Sequence, residues 1–221
     1  MRFTRVGVPA VDPTRVGEWY RSRFAPDTDH AGDKPAVRLG ETALRFTDAD
    51  TDTTPPAHLA LRLLLDGEAT VGWLAERATI LPVAGEPSRR FEFLDATAVY
   101  FEDPEGNVLE GLCYDGDRRP TAESARVVDG VTEIGLPAPD PLALVEWLAT
   151  TVGLSPWGTP SDTFAWVGDR QARFVVIPTG REWYPTDRTA DLAAVSATVA
   201  DASAHSDRHV HPTLPYEIVV E

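Results

Sequence analysis

The chain has 221 residues, of which 20 are Lys or Arg and 35 are Asp or Glu, and its formal net charge is −15. A field of that sign repels nucleic acid and anionic lipid, so the composition excludes both as binding partners. The length is sufficient for one large domain or for two small domains with a core each.

The sequence predicts a cytoplasmic protein. A single cysteine, Cys113, excludes a disulfide within the chain and is typical of a reducing compartment. The first residues, MRFTRVGVPAVD, contain no continuous apolar stretch. The longest apolar run, LALRLLL, is interrupted by Arg62 and is too short to cross a bilayer. The sequence leaves open whether the protein is a monomer or a homodimer.

Two segments of the chain repeat one another. The segments VGVPAVDPTRVGEW, from Val6 to Trp19, and IGLPAPDPLALVEW, from Ile134 to Trp147, share Gly, Pro, Ala, Asp, Pro, Glu and Trp in register. Each predicts a strand followed by an amphipathic helix, with Asp12 or Asp140 at the N-cap and Pro after it. Two short β-like runs follow each helix, so both copies begin β-α-β-β.

A second unit of the same kind follows the first copy. HLALRLLL predicts a strand, GEATVGWLAERA a helix, and RFEFLD, TAVYFED and NVLEGLCY three more strands. Near the end of the chain, AAVSATVAD and YEIVVE predict strands with little room for a helix between them. The polar residues 116–127 read as a linker. The sequence therefore predicts an α+β protein with tandem domains at residues 1–115 and 128–221, the second one abbreviated.

A carboxylate, Glu110, lies in the middle of the apolar strand VLEGL. The preceding residues DPEGN, at 103–107, favour a tight reversal and hence a hairpin. Alternation places Glu110 on the same strand face as Val108 and Leu112. A charge on such a face requires a partner, because an unpaired buried ion is strongly destabilising.

The paired β-α-β-β-β units, with HLALRL opening the second and DPEGNVLE closing it, resemble the vicinal oxygen chelate superfamily of glyoxalases, bleomycin-resistance proteins and extradiol dioxygenases. The resemblance covers residues 1–115 well and 128–221 loosely. It implies half-barrels that curl around a cavity, where a divalent metal binds two neighbouring oxygens of a substrate. The metal ligands in this superfamily come from the first and last strands of the units, and His58 and Glu110 occupy these positions.

One interpretation of this resemblance is an enzyme. A divalent ion such as Fe, Mn, Ni or Zn at His58 and Glu110 would polarise an oxygenated small molecule, as in glyoxalases and dioxygenases, and Arg62 or Tyr100 would orient the substrate. The ligand set is incomplete, because imidazole and one carboxylate supply only two of the three protein ligands typical of a catalytic site.

The other interpretation is a metal-free protein that binds or sequesters a small ligand, as bleomycin-resistance proteins do. In the first unit the ligand positions fall on Arg5 and Arg45, which do not bind metals because a guanidinium stays protonated. Both arginines would then face the cavity and either neutralise Glu110 or hold an anionic group of the ligand.

The second half of the chain has no histidine at the corresponding positions, which fall on Glu133, Ala194 and Glu217. We therefore expect no metal centre within that half and assign it a structural role or a place in the pocket wall. The aromatic segment GREWYPTD, with Trp183 and Tyr184, either closes over a pocket or anchors an interface between the domains.

Overall fold

A computed structural model describes residues 1–25, 36–117, 126–201 and 205–221. Most of the predicted linker, residues 118–125, lies outside these ranges. The first unit contains β1 (Arg2–Ala10), α1 (Pro13–Phe24), β2 (Ala36–Leu39) and β3 (Thr42–Asp48). The second contains β4 (His58–Leu63), α2 (Gly67–Ala75), β5 (Ile80–Leu81), β6 (Arg89–Phe91), a 3-10 turn (Glu92–Leu94), β7 (Ala96–Glu102) and β8 (Val108–Tyr114).

The remaining elements form a third unit and a short fourth one. The third contains β9 (Val128–Ala138), α3 (Pro141–Trp147), a π-helical turn (Leu148–Val152), β10 (Pro156–Trp157), β11 (Ala165–Gly168) and β12 (Arg173–Pro178). The fourth contains β13 (Val195–Ala200), β14 (Asp207–Val210) and β15 (Tyr216–Val220). This last unit has three strands and no helix within the described residues, which agrees with the predicted abbreviation.

Each helix begins where the sequence predicts it. The side chain of Asp12 accepts a hydrogen bond from the backbone N–H of Arg15 at 3.0 Å, and Asp140 caps α3 in the same way at Ala143, also at 3.0 Å. Asp66 caps α2 through the N–H of Ala69 at 2.7 Å. These caps satisfy N–H groups that have no partner within the helix.

The strands form two sheets, and each sheet takes strands from both halves of the chain. The six-stranded sheet has the order β14-β15-β13-β1-β3-β2, so the first unit pairs with the fourth. The larger sheet has the order β10-β11-β12-β9-β4-β8-β7-β5, with β6 also on β7, so the second unit pairs with the third. The joints are the antiparallel pairs β1–β13 and β4–β9.

The predicted α+β architecture of β-α-β-β-β units is confirmed by this arrangement. The predicted domains, residues 1–115 and 128–221, correspond to the two halves of the chain. Neither half forms a separate set of sheets, because each sheet contains strands from both halves. Strand β4 of the first half bonds directly to β9 of the second, at Leu59 opposite Ile134 and Ala60 opposite Glu133.

The main hydrophobic core joins the two sheets and their helices. The ring of Phe3 from the six-stranded sheet packs edge to face on that of Phe174 from the larger sheet, with the ring centroids 5.1 Å apart. Both side chains are fully buried. The larger sheet also carries a second apolar cluster, which includes Tyr100, Leu112 and Trp183. Within the described ranges, no helix combines the length and apolar character required to cross a membrane.

Candidate metal centre

The register of strands β4 and β8 places His58 near Glu110. The two strands are parallel, with His58 opposite Val108, so Glu110 lies two residues further along the neighbouring strand. The His58 ring Nδ1 lies 3.1 Å from the Val108 carbonyl oxygen. This contact ties the imidazole to the strand that carries the carboxylate.

The turn at residues 103–107 fixes this register. The Asp103 carboxylate accepts hydrogen bonds from the backbone N–H groups of Glu105 (2.9 Å) and Asn107 (3.0 Å), and from the Asn107 side-chain amide (2.8 Å). The Asn107 amide oxygen accepts from the N–H of Ala57 at 2.7 Å. Gly106 adopts a φ of 80°, a conformation that favours glycine. The turn therefore holds the first residue before β4 against the start of β8.

A third side chain, Glu133, enters the site from β9 in the other half of the chain. Glu133 pairs with Ala60 on β4, so it lies beside the strand that carries His58. The His58 Nε2 atom is 3.7 Å from a Glu110 oxygen and 3.8 Å from a Glu133 oxygen. Each residue offers one potential ligand atom, and these three atoms all lie within 4.8 Å of one another. All three residues are buried.

The donor set fits a divalent metal ion. With a proton on Nδ1, donated to the Val108 carbonyl, His58 presents the unprotonated Nε2 to the two carboxylates. A backbone carbonyl that binds the remote imidazole N–H is the usual outer partner of a metal-ligating histidine. One imidazole and two carboxylates suit zinc and the first-row transition metals. The chain thus contains a buried His58, Glu110 and Glu133 group that can hold a metal.

A buried arginine positions Glu133. The Arg173 side chain is 0% exposed and forms an ion pair with Glu133, and it donates a hydrogen bond to the Tyr114 hydroxyl at 2.8 Å. The guanidinium lies 4.9 Å from the ring centroids of both Trp157 and Trp166. Cation–π contacts on two rings compensate for part of the lost hydration of the charge.

The two carboxylates differ in proton affinity. Burial and the neighbouring Glu133 carboxylate raise the pKa of Glu110 to about 7. Burial acts in the same direction on Glu133, but Arg173 and His58 outweigh it and lower the pKa of Glu133 below its ordinary value. Burial alone lowers the pKa of His58, yet Glu133 and Glu110 raise it overall. Glu133 is therefore an anion at neutral pH, whereas Glu110 exchanges a proton near neutral pH.

The three side chains lie at a cavity of about 550 Å³. A volume of this size accommodates a small organic ligand. Most of the other lining residues are aromatic or aliphatic, and the charged side chains Arg89, Arg181 and Glu182 also contribute. Polar groups that converge in an otherwise apolar cavity are typical of a ligand-binding site.

The strand register also shows where a fourth ligand would lie. Strands β9 and β12 are parallel, with Glu133 opposite Arg173, just as His58 lies opposite Val108. The position two residues further is Val175, the counterpart of Glu110. Val175 is buried and lines the cavity. The site therefore has three protein donors and an apolar side chain where a fourth donor would be, an arrangement that leaves coordination positions open.

Of the two residues predicted to orient a substrate, only Tyr100 lies at this cavity. It is directly opposite Glu110 in the β7–β8 pair. Burial, followed by the charge of Glu110, raises the pKa of the Tyr100 hydroxyl far above its ordinary value. Arg62 shares a strand face with His58, but it is four residues further along β4. It forms bonds of 2.8 and 2.6 Å to the two carboxylate oxygens of Asp117 and does not line the cavity.

The two arginines predicted to face the cavity, Arg5 and Arg45, are not at this site. Arg5 on β1 and Arg45 on β3 belong to the six-stranded sheet, whereas Glu110 belongs to the larger sheet. Both arginines are exposed to solvent and neither lines the cavity. The prediction failed because the first unit pairs with the fourth unit and not with the second. Glu110 has Glu133, His58 and Arg173 as its charged neighbours instead.

The aromatic segment at residues 180–187 closes one side of the cavity. The Trp183 indole stacks on the His58 ring with 5.2 Å between centroids, and its N–H donates to the Pro56 carbonyl at 2.9 Å. Gly135 permits this contact, because a Cβ there would lie 2.5 Å from the Trp183 ring. Tyr184 also lines the cavity and is half exposed. Trp183 therefore covers the imidazole and also joins the two halves of the chain.

The chain has the fold of the vicinal oxygen chelate superfamily. It is similar over 100% of its length to 85% of a "putative dioxygenase" from Bacillus subtilis, with a TM-score of 0.58 and 13% identity. It is similar over 99% of its length to 91% of glyoxalase I from Zea mays (TM-score 0.54, 13% identity) and to 92% of the V278E mutant of that enzyme (TM-score 0.56, 12% identity). No protein-family model and no curated protein sequence matches the chain. These similarities establish the fold alone.

Proposed function

We propose that this protein is a metal-dependent enzyme that acts on an oxygen-bearing small molecule, in the manner of a glyoxalase or an extradiol dioxygenase. The convergence of His58, Glu110 and Glu133 at the floor of the cavity carries this proposal. A purely structural metal site is normally closed by four protein ligands, whereas three donors beside a ligand-sized cavity are typical of a catalytic site. The similarity to glyoxalase I and to a dioxygenase agrees with it.

The residues of the site have separate tasks in this proposal. His58, Glu110 and Glu133 would hold a divalent ion such as Mn, Fe, Ni or Zn, which would supply Lewis-acid polarisation of a substrate oxygen. Arg173 keeps Glu133 ionised and oriented. Trp183 covers one face of the imidazole and keeps water from it.

Two side chains are suited to handle protons. The raised pKa of Tyr100 keeps its hydroxyl protonated at every physiological pH, so it can donate a hydrogen bond to a developing negative charge on the substrate. Glu110, with a pKa raised to about 7 in the metal-free site, can accept a proton from the substrate and return it only while it is not bound to the ion. A general base with a pKa near the working pH is the most effective one.

Metal analysis tests this proposal. Protein purified without chelator is expected to contain close to one equivalent of a transition metal, and the variants His58→Ala and Glu133→Gln are expected to lose it. His205→Ala is the matched control, because this histidine is exposed and lies outside the cavity. The absence of bound metal from the unmodified protein, even after incubation with Mn²⁺, Fe²⁺, Ni²⁺ and Zn²⁺ in turn, would refute the proposal.

One observation favours a second candidate function, a metal-free protein that binds or sequesters a small ligand, as a bleomycin-resistance protein does. The site has a charge balance of its own, since Arg173 neutralises Glu133 and a protonated His58 would neutralise Glu110. Thermal-shift screening of chelator-treated protein against carboxylates, catechols and cationic drugs distinguishes the two functions. For the binder, a ligand stabilises the protein equally with and without metal; for the enzyme, a ligand with metal-binding oxygens, such as a catechol, stabilises the metal-loaded protein more than the metal-free protein.

A further inference from the structure

Aromatic side chains form much of the cavity wall. Phe91, Phe93, Trp166 and Phe164 are in successive contact, with centroid distances of 5.8, 5.7 and 5.1 Å. Phe93 is 69% exposed although it lines the cavity. An exposed phenylalanine at the edge of a cavity is unfavourable in water, and it gains contact area when a flat apolar ligand packs on it.

An exposed guanidinium, that of Arg89, lies at the same cavity. Arg89 is exposed and lines the cavity, and no ion pair or hydrogen bond holds its side chain within residues 1–25, 36–117, 126–201 and 205–221. The other cavity arginine, Arg181, is already bound to the Thr163 carbonyl and lies over the Phe164 ring. The rim carboxylate of Glu182 forms no ion pair with Arg89. In a chain of net charge −15, an arginine that lies at a cavity and has no partner among the described residues is suited to bind an anion.

The strand register gives the distance between Arg89 and the candidate metal centre. Arg89 pairs with Ala98 on β7, Ala98 pairs with Leu112 on β8, and Leu112 is two residues from Glu110. Two inter-strand steps and two residues along a strand separate the Cα atoms of Arg89 and Glu110 by roughly 12 Å. The side chains of Arg89 and Glu110 cover part of this distance. A molecule of one or two rings spans the space that remains between them.

We infer that the cavity recognises an aromatic anion. Its ring system packs against Phe93 and Trp166, and its carboxylate or other anionic group binds the guanidinium of Arg89. The oxygens that react lie at the opposite end, toward His58 and Glu110. This assignment of the substrate class rests on the proposed function for the reacting end only, because ring packing and anion binding require no metal.

The test compares two probes of the same shape, 2-naphthoate and 2-naphthamide. Chelator-treated protein is used so that the carboxylate has no metal to bind. Binding is followed by quenching of the tryptophan fluorescence, of which Trp166 and Trp183 at the cavity contribute a part. Naphthoate is expected to bind about 10-fold more tightly than the neutral amide, because the carboxylate forms charge-assisted hydrogen bonds with Arg89. Arg89→Gln is expected to abolish this preference and to leave the affinity for the amide unchanged.

Three further variants complete the experiment, and two of them are controls. Arg90→Gln removes the neighbouring arginine, which is bound to Asp115 and does not line the cavity, and it should retain the preference for naphthoate. Phe93→Ala should weaken both probes about 5-fold through lost ring packing, whereas Leu142→Ala, at an exposed apolar residue on α3, should weaken neither.

The proposal is overturned if neither probe binds, if both bind equally, or if Arg89→Gln retains the preference for naphthoate. Failure of the proposed function is detected separately, through the metal content of untreated protein, which Arg89→Gln should not change. The two proposals can therefore fail independently of each other.

Discussion

A carboxylate oxygen of Glu133 lies 3.8 Å from the Nε2 atom of His58, although the two residues come from opposite halves of the chain. The antiparallel pairing of β4 with β9 brings them together. The third donor of the candidate metal centre therefore depends on a contact between the halves.

Glu133→Gln is expected to lower the affinity for a divalent metal at least about 10-fold while it preserves the shape of the side chain. The amide oxygen is a weaker and uncharged ligand. Isothermal titration with Mn²⁺ or Zn²⁺ measures the effect, and Glu182→Gln, at the cavity rim, is the control. Because Glu133→Gln leaves Arg173 without an anionic partner, the double variant Glu133→Gln/Arg173→Met separates metal loss from instability. Unchanged affinity in both variants would contradict a ligand role for Glu133.

The stability of the protein is expected to depend on pH in the absence of metal and to depend on it much less in the presence of metal. In the metal-free protein the pKa values of Glu110 and His58 are both raised by folding, so the folded state binds more protons than the unfolded state. Stability therefore falls as pH increases from the ordinary range of a carboxyl group through about 7 and beyond. Glu133, whose pKa is lowered, contributes to the pH dependence of stability only at acidic pH.

The metal-loaded protein should keep a nearly constant stability over the same pH range, because the ion holds Glu110 and His58 deprotonated in the folded state and both groups are also largely deprotonated in the unfolded state near neutral pH. Protons on Glu110 and His58 compete with the ion, so its apparent affinity should rise by about 10-fold per pH unit for each proton displaced. Melting temperatures at pH 6, 7 and 8, with chelator and with saturating Mn²⁺, check both slopes. Parallel slopes would show that the ion binds somewhere else.

Arg173→Met is expected to destabilise the metal-free protein by about 3–5 kcal/mol, because it leaves the buried Glu133 carboxylate without its cation. A divalent ion at the site would replace part of the lost charge, so saturating metal should stabilise the variant more than the unmodified protein. Urea unfolding with chelator and with metal measures both effects. The comparison variant is Arg90→Met, which breaks an exposed pair with Asp115 and should cost less than about 1 kcal/mol. Equal destabilisation with and without metal would place the centre away from Glu133.

Gly135→Ala is expected to cost about 1–3 kcal/mol and to displace Trp183 from His58, since the added Cβ would lie 2.5 Å from the indole. The tryptophan emission should move to longer wavelength as the ring becomes exposed. Gly72→Ala is the matched substitution, because no atom lies within 4 Å of a Cβ at that helical position. An unchanged emission spectrum and stability in Gly135→Ala would mean that the segment at 180–187 adjusts freely.

Local features of the fold could be predicted from the sequence because they depend on neighbouring residues. The N-caps at Asp12 and Asp140 and the turn before Glu110 are of this kind. The proximity of His58 and Glu110 was also predicted, because both belong to one unit and the resemblance assigns the strands that carry them. Their role as metal ligands remains a prediction that metal analysis will test.

The rest of the site depends on which units share a sheet, and strand patterns do not determine that. A division into two consecutive domains places Glu133 away from His58 and places Arg5 near Glu110, whereas the sheet order does the opposite. Arg173 gave no signal either, since an arginine at the start of an apolar strand ordinarily indicates a solvated end. Its burial becomes evident only when Glu133, Trp157 and Trp166 surround it.

The bonding of β1 to β13 has a bearing on synthesis at the ribosome. Strand β1 acquires its antiparallel neighbour β13 only after the long segment between them has been translated. Until then one edge of the nascent sheet stays open, and such edges are prone to pair with other chains. Slow, late closure of this sheet, and a benefit from chaperones during translation, are therefore expected for this topology.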